Sequence, residues 1–206
     1  MRAPRWQSEV TPGDLVLELP GRPLVFRWIP GFDPGGFWLA ETPLTQGQWE
    51  ALGEGRPPGQ FRGCDLPVEC VDWPTATVVC DRIGVRLGQR GGLPTSAGWE
   101  YAARAGGPAD PPQPLDEHAW HAGNSGGSPR PVGLLRANPW GLYDMLGNLW
   151  EWCSDWAVTD PPQQKLCVRG GSWSIPPQHC RADRAGGDPP TNRLPNLGFR
   201  PALFPC

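Results

Sequence analysis

Residues 138–152 read NPWGLYDMLGNLWEW, and the segment from Trp140 to Trp156 is aromatic-rich and polar at once. The same mixture runs through the chain. Only 38% of the 206 residues are hydrophobic, yet 12 are Trp and 6 are Phe, and each buried aromatic removes a large apolar area from water. With 28 Gly and 28 Pro the composition could signal disorder, but disordered segments are poor in aromatics. These features predict a loop-rich α+β domain with short strands and few helices, spanning residues 1–206 as one unit.

Upstream of that stretch, Asp14 to Leu19 alternates apolar and polar residues as a half-buried strand does, ended by Pro20-Gly21. Leu24 to Ile29 and Phe37 to Glu41 predict two further strands, and Arg56 to Gln60 a loop. Thr45 followed three residues on by Gln48 is a helix-start pattern. Asp72-Trp73-Pro74 opens a second helix, with Ala76, Val79, Cys80 and Ile83 at near-helical spacing. A third helix runs from Ser96 to Arg104, stopped by Gly106-Gly107. From Gly106 to Asn138 the chain is mostly Gly, Pro, Ser and Asn, and reads as irregular. Downstream, Cys167 to Trp173 predicts a strand with a Gly-Gly bulge, and Leu197 to Phe204 a closing strand.

The net charge of −3 gives no electrostatic case for nucleic acid or an anionic membrane. No run approaches the roughly 20 apolar residues of a membrane span, and Met1 to Gly13 has no apolar core for a signal peptide. Seven Cys without a dense framework point to the cytoplasm, with disulfides possible in a thermophile. Lys165 is the only lysine, and an Arg-rich surface suits heat-stable proteins.

Several blocks resemble, in order, the formylglycine-generating-enzyme (sulfatase-modifying factor) family. They are Phe37-Trp38 with Thr42 to Trp49, Leu66-Pro67-Val68-Glu69 with Val71-Asp72-Trp73, and Leu93-Pro94-Thr95 through Trp99 to Arg104. The 138–152 stretch follows, then Arg169-Gly170-Gly171-Ser172-Trp173 and Gly198-Phe199-Arg200. The resemblance covers roughly Val25 to Leu203 and implies a C-type-lectin-like fold. Active members oxidise a substrate cysteine with a copper(I)-binding thiol pair, because a soft monovalent metal wants soft thiolates. At the positions of that pair this chain has Ile175 and Cys180, so the resemblance implies neither enzyme activity nor copper. An iron-dependent branch of the same fold uses His ligands. His118 and His121 could hold a metal if helical, but they and His179 are the only histidines.

Asp144, Gly147, Leu149 and Glu151 match a calcium site of the family, a cage of hard oxygens. The alternative for Asp144 and Glu151 is hydrogen bonding that braces an irregular corner. A second family calcium site, near Asn124, is shortened here.

Family-like positions near the C-terminus (Gly170 to Trp173, Cys180, Arg193, Gly198 to Arg200) frame residues without helix or strand period. These are Ser174-Ile175-Pro176, Gln178-His179, Asp183, Gly186 to Asp188 and Leu194-Pro195. The arrangement resembles the variable proteins of diversity-generating retroelements, where diversified positions sit between invariant scaffold residues of this fold. It implies a variable region at 169–200 and a ligand-binding face of Trp173, Ser174, Ile175, Pro176, Gln178, His179, Asp183, Arg184, Asp188, Leu194 and Pro195. The ligand would be a protein or another macromolecule. The alternatives are a copper-dependent oxidase or related metalloenzyme, and a structural or signalling accessory domain of the same fold.

Overall fold

The computed structural model describes residues 13–32, 35–107, 112–157 and 164–206. The reading of Met1 to Gly13 as lacking a signal peptide lies, apart from Gly13, outside the described residues. Strands β1 (Leu15–Leu17), β2 (Leu24–Ile29) and β3 (Phe37–Ala40) come first, then helices α1 (Gln46–Ala51) and α2 (Trp73–Leu87). Strand β4 (Arg90–Gly92) and helix α3 (Ser96–Arg104) follow.

Local capping chemistry places the helices as the sequence predicts. Thr45 Oγ1 accepts the Gln48 N–H at 3.2 Å while Gln48 Oε1 accepts the Thr45 N–H at 3.0 Å, a reciprocal box that satisfies two end donors. Asp72 accepts the Thr75 N–H at 3.0 Å, and Thr95 the Gly98 N–H at 3.0 Å. In α2 the predicted apolar face, Ala76, Val79, Cys80 and Ile83, is buried.

The stretch read as irregular contains a 3₁₀ turn (Leu115–Glu117) and strand β5 (Ala119–Trp120). Strands β6 (Leu146–Gly147), β7 (Trp150–Trp156), β8 (Leu166–Arg169), β9 (Ala185–Asp188), β10 (Leu197–Gly198) and β11 (Ala202–Phe204) complete the chain. They form a five-stranded sheet in the order β1-β2-β3-β11-β4, a four-stranded sheet β10-β7-β8-β9, and the pair β5-β6. β11 closes the first sheet between β3 and β4, with Leu203 opposite Trp38 and Gly91.

One hydrophobic cluster joins both larger sheets to α2: Phe26 and Trp38 from the first, Trp152 and Val168 from the second, and Val79 and Ile83 from the helix. Trp152 is fully buried and donates its indole N–H to Val71 O at 2.9 Å, which is how a large ring with one polar atom can sit inside. A second cluster gathers Trp99, Ile29, Phe37, Leu39, Cys153 and Cys167.

Three C-terminal expectations need correction. The strand at Cys167 starts at Leu166 and ends at Arg169, because Gly170 and Gly171 take positive φ of 96° and 84° and turn the chain out of the ladder. At Gly171 an added Cβ would also lie 3.1 Å from Cys180 Sγ and Ile175 Cδ1. The closing strand is two strands in different sheets, β10 beside β7 and β11 beside β3. Pro201, which has no N–H to give a ladder, separates them. Finally, Gly186 to Asp188 belongs to β9, paired along β8 from Leu166↔Asp188 to Arg169↔Ala185.

Candidate functional site

The C-terminal face rests on a backbone that is pinned at each step. Trp173 N–H donates to Asn148 O at 2.8 Å, and Trp173 O accepts the Ser125 hydroxyl at 2.9 Å. Ile175 O accepts the Ala122 N–H at 2.9 Å. The supporting loop is itself held by His121, whose Nδ1 accepts the Gly123 N–H at 3.1 Å. That leaves the ring proton on Nε2, 2.7 Å from Asp116 Oδ1. His121 thus braces the loop through both ring nitrogens. Trp173 Nε1 donates to Pro195 O at 3.1 Å and Asn196 Nδ2 to Ser174 Oγ at 3.0 Å, so the chain before Cys180 meets the chain after Arg193.

None of the eleven predicted binding residues is buried. Ser174, Pro176, Gln178, Asp183, Arg184 and Leu194 are exposed, and Trp173, Ile175, His179, Asp188 and Pro195 are half-buried. Ile175 also packs on the cluster of Ala119, Leu146, Cys180 and Ala182, which makes it part scaffold. Asp188 is an edge-strand residue, its carboxylate taken by Asn192 Nδ2. Asp183 is paired in parallel with Arg181 at 3.0 Å, and that guanidinium holds its carboxyl below the usual range.

Two residues that sequence reading gave no role complete this face. Glu69, fully buried, accepts the Gln60 and Phe61 N–H groups on Oε1 at 2.6 and 3.0 Å. Phe61 stands edge-on to Trp173, ring centroids 5.7 Å apart and planes at 80°. The neighbouring Cys70 N–H donates to Leu194 O at 3.0 Å. The Leu66–Glu69 motif could have drawn attention to Glu69; no local signal points to Phe61.

Behind the face lies the corner built by residues 144–151. Asp144 and Asn148 both take positive φ, 53° and 56°. Asp144 Oδ2 accepts the Gly133 N–H at 2.7 Å, and burial pushes its carboxyl up to about 6. Asn148 grips Arg130 through both its N–H and C=O, at 3.0 and 3.1 Å. Glu151 accepts Trp99 Nε1 at 2.6 Å and Arg200 Nη2 and Nε at 2.8 and 3.0 Å. Arg200 gives its remaining donors to Ala40 O, Glu41 O and Tyr143 O.

The carboxylate a calcium ion would need therefore already holds a guanidinium and an indole N–H. A dication at Glu151 would have to compete with Arg200, and in this arrangement the carboxylate braces the corner. For copper, Cys180 is fully buried beside Ile175, and burial raises its thiol to about 11, so it is protonated at neutral pH. Among the described residues no group of three or more His, Cys, Asp or Glu could hold a metal ion. No helix among them is long and apolar enough to cross a membrane.

The domain family described as "Sulfatase-modifying factor enzyme 1-like domain" matches residues 32–203. The formylglycine-generating enzyme of Bos taurus is 32% identical over 168 residues, 66% of this chain and 43% of that protein. The inactive C-alpha-formylglycine-generating enzyme 2 of Mus musculus is 30% identical over 199 residues, 86% of this chain and 58% of that protein. The chain thus spans about half the length of these curated relatives. The solved structure of Treponema denticola variable protein 1 superposes with a TM-score of 0.85 at 23% identity, covering 95% of this chain and 100% of that one. The shared C-type-lectin-like α+β fold is what that likeness establishes.

Proposed function

The chain belongs to the sulfatase-modifying factor enzyme 1-like domain family, and from that premise we propose that it is a non-enzymatic ligand-binding member. Its specificity would lie in the side chains between Trp173 and Asn196. The observation that carries this reading is a hydrogen-bonded backbone presenting unburied side chains, with Ile175 packed on the cluster that holds the lone buried Cys180. One thiol beside an isoleucine cannot hold copper(I) in low coordination, whereas a pre-ordered loop face loses little entropy on binding. A relative named as inactive and a fold neighbour named as a variable protein both support it.

The finer reading is a retroelement variable protein, cytoplasmic, with a macromolecular partner. At the gene, a near-copy of the DNA encoding Arg169 to Arg200, differing mainly at adenines and lying beside a reverse-transcriptase gene, is expected. Its absence would remove the retroelement. For the chemistry, incubation with copper and a cysteine-containing peptide is expected to yield no formylglycine, and turnover would overturn the reading.

A further inference from the structure

The Glu69–Cys70 dipeptide ties two distant loops together. The Glu69 carboxylate fixes the Gln60 and Phe61 amides, and the Cys70 N–H fixes Leu194 O. Gly59 is shaped to this arrangement: its φ is 115°, and an added Cβ would fall 2.2 Å from Glu69 Oε1. Phe61 O accepts Gln46 Nε2 at 3.2 Å from the capped start of α1, so the residue is held from both sides. The result is an edge-to-face aromatic pair in which neither ring is buried and Trp173 has spent its N–H on Pro195.

We infer that the recognition face is bipartite, and that Phe61 is a constant aromatic contact on it for a folded protein partner selected by the residues from Trp173 to Pro195. The inference rests on the ligand-binding reading above. Half-exposed rings held rigid by hydrogen bonds are the kind of side chain that carries binding energy at protein interfaces, because little conformational freedom remains to be lost. The surroundings fit a protein surface rather than a polyanion. The Phe61–Trp173 ring pair is flanked by the apolar residues Leu194 and Pro195, whose carbonyls accept the Cys70 N–H and the Trp173 indole N–H. Next to Leu194, Arg193 is paired with Asp72, so the adjoining charge is balanced rather than a single-sign field.

The test is a phage-displayed library of the full chain, randomised at Ser174, Gln178, Asp183, Arg184 and Leu194 and panned against immobilised hen lysozyme as the probe protein. Binders are expected. In a selected binder, Phe61→Ala should weaken lysozyme binding at least tenfold, and Phe61→Leu, which keeps the packing, by a smaller factor. Phe61→p-benzoylphenylalanine should photo-crosslink to lysozyme, as the same substitution at a retained exposed position such as Pro176 does. Binding within twofold for Phe61→Ala, or a crosslink at Pro176 and none at Phe61, would overturn the inference while leaving the ligand-binding reading intact. A library that yields no binder to lysozyme or to further folded proteins would remove that reading and this inference with it.

Discussion

Arg200 and Glu151 face each other fully buried, Nη2 to Oε1 at 2.8 Å, with Nε to the second carboxylate oxygen at 3.0 Å. All the remaining donors of Arg200 go to carbonyls of Ala40, Glu41 and Tyr143. One side chain thus joins β3, the 144–151 corner and β7 at the place where the chain crosses from one sheet to the other.

Removing that cation should cost about 3–5 kcal/mol, because Arg200→Met leaves a buried carboxylate without its counter-charge. Making both partners apolar is not a remedy here, since three carbonyls and the Trp99 N–H would lose their partners. Glu151→Gln, which still accepts from Trp99, should cost less than Arg200→Met. Urea unfolding of the variants checks the order.

Metal dependence follows from the same pair. With Glu151 occupied by Arg200, the midpoint of thermal unfolding should be the same in millimolar calcium and in EDTA. A rise of several degrees with calcium would mean that the ion binds the folded state and displaces the guanidinium.

Asp144 gives the stability a pH signature. Its folded pKa of about 6 lies above the ordinary 3.8, so the folded state holds its proton more tightly than the unfolded chain. The sign is therefore that this stabilisation is complete below about 4 and is lost as pH rises through about 6. Asp144→Asn keeps an oxygen for the Gly133 N–H and carries no charge. The stability difference, native minus Asp144→Asn, should fall by about 2 kcal/mol between pH 4 and pH 7. A flat difference in paired denaturation curves would refute the assignment.

What the sequence disclosed was local. Thr45 with Gln48, and Asp72 with Thr75, make their bonds within four residues, and each of those two helices begins where these residues put it. The eleven residues of the proposed face interrupt a familiar framework, which is why the sequence suggests them as a set. The strand over Gly186 to Asp188 was not legible because Ala-Gly-Gly-Asp has little strand propensity; it becomes β9 only because β8 offers a free edge. The division of 197–204 was hidden for a related reason: Arg200 finds partners as distant in sequence as Ala40. Phe61 was silent because its meaning lies in Trp173 and Glu69, which only folding brings to it.

Thermal unfolding of diversified chains separates the scaffold from the proposed recognition face. Variants drawn at random at Ser174, Gln178, Asp183 and Arg184 should melt within a few degrees of the native chain, as surface substitutions do. Trp152→Ala, in the shared core, should lose about 3–5 kcal/mol. If most of the randomised chains melted far below the native midpoint, those four side chains would be part of the framework, and the proposed recognition face would be contradicted.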